Sequence, residues 1–391
     1  MKFLEAILTV ASLASAAVTA VPEQVVYDGF KVFRVNATEG LPSLKSKIAS
    51  LAQTLELYSH PDHMDVAVAP SDFAAFEALD LPSEILDEDL GASIAAEGPL
   101  VSYKSLAETC SRLFPQNSEI LEIGASYEGR QITGLHLWGS GGSGSKPAIY
   151  IHGTVHAREW IATMVVEYFA YQLVSGYGNN ATIKGFLNSY DFYFFPRFSY
   201  TQSNDRLWRK NRMPRSSTSA RGTDINRNWP YKWEVAGGAS TNPSAEDYKG
   251  QVAGDTPEVK VLKAFTDKLA AGKGIRLYID FHSYGQYILL PYGYSCSKRS
   301  GNDAKQESLA AGLQSAIAKP YGTRFTYGPI CSTLYAATGG STDYMTDVAG
   351  TTYAWAVELR GGSSGFVLPA SQIRPSGIEI WQGMQSLIPS L

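Results

Sequence analysis

The chain is poor in cysteine and histidine and carries little net charge. Its 391 residues include three cysteines and six histidines, and its formal net charge is −4. So few cysteines exclude a small disulfide-rich scaffold, and the balanced charge excludes a uniformly basic surface for nucleic acid or anionic membranes. We expect no partner of either kind. The length suits a small domain followed by a large one, so the chemistry must be sought in local motifs.

Beyond the N-terminus, the sequence lacks an apolar run long enough to span a membrane. At the N-terminus, Lys2 precedes an apolar stretch from Ala6 to Ala17, with small residues at 14–16 and 20. This pattern is typical of a secretory signal peptide, and the run is shorter than the ~20 residues of a membrane span. We therefore expect residues 1–17 to be a signal peptide and the product to be secreted and extracellular.

Export would place the three cysteines in an oxidising compartment, where one disulfide and one leftover thiol are expected. Two Asn-x-Ser/Thr sites, at Asn36 and Asn180, are candidate glycosylation sites. They give weak support to export, because such sites are frequent by chance.

Residues 18–100 predict a small open-faced α+β sandwich. Strands are expected over 24–35 and 64–69, where β-branched and aromatic residues cluster. Helices are expected over 44–57 and 71–79, from apolar spacing and a Ser-Asp cap. The small-residue stretch from Gly91 to Gly98 is typical of a linker.

Residues 101–391 alternate strand and helix patterns, which predicts one α/β domain with a mixed central sheet flanked by helices. Four apolar runs predict buried central strands, at 148–151, 190–195, 277–281 and 353–359. Strong helices are expected over 160–174 and 257–269, the second opening with proline.

The sharpest motif, His156-Ala157-Arg158-Glu159-Trp160, directly follows one predicted strand and precedes a predicted helix. A histidine and a glutamate three residues apart at a strand end can converge on one ion. A catalytic zinc typically has three protein ligands and an open position for water, so a second histidine is expected. His282, at the end of another predicted strand, fits that role, and His152 is the competing candidate. The alternative interpretation of the motif is a surface ion pair or a helix cap.

At this motif the sequence resembles the zinc metallocarboxypeptidases of the pancreatic carboxypeptidase A type. The resemblance runs from about Tyr103 to the C-terminus, and residues 18–100 resemble that family's activation domain. Matching stretches occur in family order, namely HAREW, LWRKNR, DINRNWP, FHSYGQ, PYGY, YAATGGSTDY, VELRGG and GFVLPASQI. The resemblance implies a secreted zymogen with a propeptide over residues 18–100 and a catalytic domain over 101–391. It also implies one zinc ion held by His156, Glu159 and His282.

The resemblance assigns catalytic roles to two residues and an orienting role to a third. Glu358 matches the general base, and Arg209 matches the group that stabilises the oxyanion. Asp224 matches the carboxylate that orients a ligand histidine. The alternative interpretation of Glu358 is a buried ion pair with Arg360.

Substrate-binding residues follow from the same resemblance. Asn226, Arg227 and Tyr335 match the residues that hold the free C-terminal carboxylate, while Arg158, Tyr284 and Arg206 match the subsites further inward. The pocket for the departing side chain maps to Gly293, Ile330, Ala337, Gly340, Thr342 and Ala356. At the position of Thr342, family members that cut before Lys or Arg carry an acid, and members that prefer apolar residues carry an aliphatic residue. Thr342 is neither. We expect a preference for C-terminal aromatic and large aliphatic residues.

The resemblance also pairs Cys296 with Cys331 and leaves Cys110 as a free thiol. It implies peptide C-termini as substrates, the chain's own propeptide as inhibitor and a separate activating protease; we expect a monomer. Three alternatives remain open at this point. They are a carboxypeptidase specific for basic residues, an inactive relative that binds zinc or peptide, and a serine hydrolase using the Gly-x-Ser-x-Gly pattern at 361–365.

Overall fold

The computed structural model describes residues 24–97, 103–196, 204–215, 219–362 and 365–391. The predicted signal peptide, 1–17, lies outside these ranges. Among the helices within them, none is both long and apolar enough to cross a membrane.

The N-terminal unit is a four-stranded antiparallel sheet with three helices. Its elements are β1 (Lys31–Asn36), α1 (Leu41–Ile48), β2 (Leu55–His60), β3 (His63–Val68), α2 (Phe73–Glu77), β4 (Ser83–Asp87) and α3 (Leu90–Glu97). The strands lie in the order β2-β3-β1-β4. The strand predicted over 64–69 is present as β3, and the one predicted over 24–35 is present only from Lys31, as β1. Strands β2 and β4 were not predicted.

The two faces of this sheet pack against different partners, because successive side chains of a strand point to opposite faces. Met64, Val66 and Val68 of β3 pack with α1 and α2 in one core. The opposite face carries Ala67, which belongs to a second core shared with Tyr284 of the large unit. The open face of the sandwich is therefore covered by the large unit.

Two predictions for the N-terminal unit are wrong. The helix expected over 44–57 ends at Ile48, and β2 begins at Leu55. The Asp72 carboxylate accepts hydrogen bonds from the Gln53 backbone N–H at 2.7 Å and the Thr54 hydroxyl at 3.0 Å. This contact with a residue far along the chain favours a turn there, which helical spacing alone does not reveal.

The expected linker at 91–98 is largely the helix α3. Leu90 is buried in the core shared with the large unit, and Ile94 packs against that core. A Cβ atom at Gly91 would lie 2.8 Å from the Asp28 backbone. Gly91 thus allows close packing of the helix, and small residues here do not mark a flexible connection.

The large unit contains an eight-stranded mixed sheet in the order β11-β10-β12-β9-β7-β8-β6-β5. The strands are β5 (Ser118–Ala125), β6 (Gln131–Leu137), β7 (Ala148–Gly153), β8 (Asp191–Phe195), β9 (Ile275–Ser283), β10 (Tyr287–Leu290), β11 (Thr326–Pro329) and β12 (Tyr353–Leu359). All four predicted central strands are confirmed, as β7, β8, β9 and β12. The mixed α/β fold class is confirmed as well.

Helices cover both faces of the large sheet. They are α4 (Tyr103–Leu113), α5 (Trp160–Gly176), α6 (Ala181–Ser189), α7 (Pro257–Ala271), α8 (Asp303–Tyr321), α9 (Ile330–Thr333), α10 (Ser341–Asp347) and α11 (Ile373–Leu387). One core joins α5, α6, α8 and α11 to one face, and a second joins α7 and α10 to the other. The predicted helices are confirmed as α5 and α7.

Three parallel neighbours in this sheet, β7, β9 and β12, place the functional residues. Glu358 of β12 is in register with His282 of β9, and Gly153 at the end of β7 is in register with Phe281. The carboxyl ends of parallel strands meet at one edge of the sheet. His156 and Glu159 follow β7 directly, so all four groups arrive at the same edge.

Candidate active site

The three predicted metal ligands converge on one point. His156 Nδ1 lies 2.8 Å from Glu159 Oε1, and His282 Nδ1 lies 3.1 Å from His156 Nδ1. His282 Nδ1 is also 3.0 Å from Glu159 Oε2. The three side chains are buried, with residue exposures of only 2–3%.

This donor set fits zinc. Ligand distances of ~2.0–2.1 Å place tetrahedral donors ~3.3 Å apart, close to the separations observed. Each histidine turns its Nε2 towards a buried carboxylate, so each Nδ1 lone pair is available at the shared point. Among the described residues, these three form the one group able to hold a metal ion. His152 is not part of it, because its ring lies beside Tyr278, with Nδ1 at 3.3 Å from the tyrosine hydroxyl.

Asp224 joins one ligand histidine to a guanidinium. His156 Nε2 lies 3.0 Å from Asp224 Oδ1, and Arg209 Nη2 donates to Asp224 Oδ2 at 2.8 Å. Burial opposes ionisation of Asp224, yet Arg209 and His156 hold the pKa of this carboxyl well below its usual range. Arg209 Nη1 is 3.6 Å from Glu159 Oε1, so its positive charge faces the ligand group.

A second carboxylate, which our sequence analysis missed, backs the other histidine. His282 Nε2 lies 3.1 Å from Asp280 Oδ2, and Asp280 is completely buried. The available signal was spacing, because residues two apart on a strand point to the same face. An acid in an otherwise apolar central run could have been flagged on the same ground as Glu358.

One cavity is lined by the three ligand residues and also by Glu358. Glu358 lies on the strand next to that of His282. Burial raises the pKa of Glu358 to about 8, with the Glu159 carboxylate adding to the rise and His282 and Arg209 opposing it. Arg360 does not pair with it. That guanidinium binds Glu379 with two nitrogens and also donates hydrogen bonds to Gln372 and Thr323.

The residues proposed for a substrate carboxylate lie on the same cavity. Asn226, Arg227 and Tyr335 all line it. Arg227 is largely buried, yet within the described ranges its guanidinium makes no ion pair, and its Nη1 donates to the Asn226 carbonyl at 2.9 Å. A largely buried guanidinium with no carboxylate at ion-pair distance can accept one from a ligand, so this geometry favours an anionic ligand.

Comparison with known proteins identifies the family. Residues 103–383 match the family described as zinc carboxypeptidase. The chain belongs to the zinc carboxypeptidase family. Metallocarboxypeptidase A of Arthroderma otae is 40% identical over 98% of this chain and 97% of that protein, and metallocarboxypeptidase A of Trichophyton rubrum is 39% identical over 99% of each.

Solved structures of related proteins agree with this assignment. A crystal structure of thrombin activatable fibrinolysis inhibitor superposes with a TM-score of 0.84 at 27% identity, covering 93% of this chain and 98% of that one. Carboxypeptidase A of Helicoverpa armigera shares the fold, with a TM-score of 0.77 at 23% identity. The protein is thus a metallocarboxypeptidase, a zinc-dependent peptide hydrolase.

In this zinc carboxypeptidase the cavity has a volume of about 610 Å³. Its wall includes all six residues predicted for the side-chain pocket, which are Gly293, Ile330, Ala337, Gly340, Thr342 and Ala356. Asp343 was not predicted but also lines it. The carboxylate of Asp343 accepts hydrogen bonds from the Gly293 and Tyr294 backbone N–H groups at 3.0 Å each. Burial raises the pKa of Asp343 to about 6, although these hydrogen bonds oppose the rise.

The N-terminal unit contacts the residues predicted for the inward subsites. Arg158 donates to the Leu57 carbonyl at 3.1 Å, and the Tyr284 hydroxyl donates to Asp65 at 2.6 Å. Arg206 binds Glu97 through two nitrogens, at 2.6 and 2.7 Å. The ring of Tyr58 packs against that of Tyr284 in a tilted arrangement, with ring centroids 4.9 Å apart.

The cysteine pairing is confirmed. Cys296 and Cys331 form a disulfide, and Cys110 is a buried free thiol. Because Cys331 directly follows Ile330, the disulfide anchors one wall of the cavity. Both candidate glycosylation residues, Asn36 and Asn180, are exposed, and Asn180 caps α6 through its side-chain oxygen.

The serine-hydrolase alternative is wrong for this chain, because the family and the metal-binding group account for the same edge of the sheet. Ser363 of the Gly-x-Ser-x-Gly pattern lies outside the described residues. Two nearby glycines, Gly362 and Gly365, exchange two backbone hydrogen bonds at 3.1 Å each.

Proposed function

We propose that this enzyme releases single aromatic or large aliphatic residues from the C-termini of extracellular peptides. The observation that carries the proposal is the buried Arg227, which faces the same cavity as the ligand group and makes no ion pair with the described residues. A substrate carboxylate would supply an ion-pair partner, and a guanidinium binds a carboxylate through two parallel hydrogen bonds. Asn226 and Tyr335 would complete the carboxylate site.

Glu358 is the proposed general base. Zinc, when bound by His156, Glu159 and His282, supplies a Lewis acid and lowers the pKa of a bound water to about 7. Glu358 accepts a proton from the attacking water and passes it to the amine that leaves. Its place on the cavity wall, free of Arg360, supports that role.

Arg209 is the proposed partner of the negative charge that develops on the peptide oxygen. Asp224 holds the guanidinium at 2.8 Å, so its orientation is fixed before substrate arrives. Such preorganised donors stabilise the transition state without reorganising during the reaction.

The proposed preference follows from the cavity wall. Ile330, Ala337 and Ala356 are apolar, and Thr342 carries no charge. The acid that follows Thr342 in the chain, Asp343, already accepts two backbone hydrogen bonds. A lysine or arginine side chain would therefore enter without a free counter-charge, which is unfavourable.

We expect peptides that end in Phe or Leu to be hydrolysed at least about tenfold faster, in kcat/KM, than matched peptides that end in Arg. Release of the last residue is measured across a panel that differs only at that position. The control is the Phe peptide with an amidated C-terminus, which should resist cleavage because it cannot pair with Arg227. Faster release of Arg would favour the alternative, a carboxypeptidase specific for basic residues.

The N-terminal unit is proposed to be an inhibitory propeptide that an activating protease removes. Its contacts with Arg158, Arg206 and Tyr284 support this, because these residues are then occupied by the chain's own groups. Glu97, close to the proposed boundary between propeptide and catalytic domain, binds Arg206. A cut between Glu97 and Tyr103 would leave Glu97 on the released unit.

We expect the uncut chain to be nearly inactive and limited proteolysis to activate it. In the uncut chain, Glu97→Gln should raise residual activity at least about tenfold, since breaking a buried ion pair costs several kcal/mol. Glu88→Gln is the matched control, because Glu88 belongs to the same unit but its side chain is 70% exposed. Full activity of the uncut wild-type chain would contradict the inhibitory role and favour a role in folding.

A further inference from the structure

We propose that Asp280 is a positioning residue for the metal, fixing His282 as Asp224 fixes His156. The two ligand histidines then form matched units, each with Nδ1 towards the ion and Nε2 towards a buried carboxylate. The distances are similar, 3.0 Å from His156 to Asp224 and 3.1 Å from His282 to Asp280.

Asp280 is placed by the central strand of the site. It lies on β9 between β7 and β12, in register with His152 on one side and Ala356 on the other. Its exposure is 0%. Because strand residues two apart share a face, Asp280 and His282 are neighbours by backbone geometry alone.

A neutral histidine that binds zinc through Nδ1 carries its proton on Nε2. In this geometry His282 Nε2 lies 3.1 Å from Asp280 Oδ2 and 3.3 Å from the side-chain nitrogen of Asn226. Of these two neighbours only the carboxylate can accept a proton from Nε2, so Asp280 would select the tautomer, fix the ring and raise the basicity of Nδ1. The Ser341 hydroxyl donates to the same oxygen at 3.0 Å and holds the carboxylate in place. The Ser341 backbone N–H donates to Asn226 Oδ1 at 2.8 Å, so the same residues connect the metal side to the proposed carboxylate site.

The balance of buried charges is a second reason to assign Asp280 to the metal site. Glu159 and the two carboxylates behind the histidines, Asp224 and Asp280, are three buried acids, and Arg209 is the guanidinium paired with Asp224. With neutral histidines these four groups carry a net negative charge, which a bound dication would offset. Burying an uncompensated carboxylate is strongly unfavourable, so Asp280 is explained if it belongs to the metal site.

The test is the zinc dissociation constant, measured by competition with a chelating dye in the absence of peptide. Asp280→Asn keeps the shape of the side chain and removes its charge, and we expect zinc to bind about 10-fold more weakly. Asp280→Ala should weaken binding by up to about 100-fold. Since no substrate is present, the result does not depend on the role proposed for Glu358 or on the C-terminal preference.

The matched control is Asp191→Asn. Asp191 is also completely buried on a strand of the same sheet, and it lies 2.7 Å from the imidazole of His136, away from the ligand group. A merely structural effect of losing a buried Asp–His contact would appear in both variants. We expect zinc affinity to stay within about twofold of the wild type for Asp191→Asn.

A second test uses the wild-type protein with bound metal, so it does not depend on the folding of any variant. With Co²⁺ in place of zinc, the ligand-histidine N–H protons are shifted by the metal in the proton NMR spectrum. We expect two such protons in slow exchange with water, one from His156 and one from His282. Rapid exchange of the His282 proton, or an Asp280→Asn zinc affinity equal to that of the wild type, would overturn the proposal.

Discussion

Removal of zinc by a chelator is expected to abolish peptide hydrolysis, and added zinc should restore it. Without the ion, the attacking water has a pKa of ~15.7 in place of about 7, so we expect kcat to fall by more than ~10³-fold. His156, Glu159 and His282 present only electron-pair donors where they meet, with separations of 2.8–3.1 Å. Without the ion, these three side chains cannot supply an electrophile. The measurement is the rate of C-terminal residue release before chelation, after it and after zinc is returned.

Two controls establish whether the lost activity is due to the metal. A serine-directed reagent should leave activity unchanged, because Ser363 has no part in the proposed chemistry. His282→Ala should lose zinc and activity together, whereas His136→Ala, which alters a buried histidine bound to Asp191, should retain its zinc. Activity that survives complete removal of the metal would contradict the proposed reaction.

Replacement of the proposed base is expected to produce the second large effect. Glu358→Gln should lower kcat by about 10²–10⁴-fold, because the amide cannot accept and return a proton. Zinc content should stay at one ion per chain, since Glu358 is not among the ligand group. The measurements are kcat on a Phe-ended peptide and zinc content of the same preparation.

Glu379→Gln is the matched control for this experiment. Glu379 is a completely buried acid that binds Arg360, so its loss should reduce the free energy of unfolding but leave kcat near that of the wild type. If Glu358→Gln instead lowered stability and left kcat unchanged, Glu358 would be a structural acid.

The central strands could be predicted from local composition because they are buried on both faces. Runs such as 353–359 are largely apolar, and β12 occupies those seven residues. The N-terminal unit was harder, because its short elements depend on distant contacts. Asp72 binds the backbone at Gln53, and Gly91 packs on Asp28, so the end of α1 was predicted too late and α3 was predicted as a linker.

The metal-binding group was partly visible in the sequence and partly not. His156 and Glu159 could be linked because they are close in the chain, and His282 could be added because strand ends meet at one edge. Asp280 was overlooked because its partner is defined by a side-chain contact. Two-residue spacing on β9 indicates only that Asp280 and His282 share a face, whereas the structure shows the two side chains 3.1 Å apart.

The sequence by itself determined the family, the ligand types and the central strands, because these depend on residue identity, order and local periodicity. Only the tertiary structure decided what the buried charges face: Asp280 behind His282, Glu379 beside Arg360, and Leu57 and Glu97 of the N-terminal unit against Arg158 and Arg206. Electrostatic and hydrogen-bond energies depend on distances between atoms, and groups far apart in the chain are brought together by packing alone.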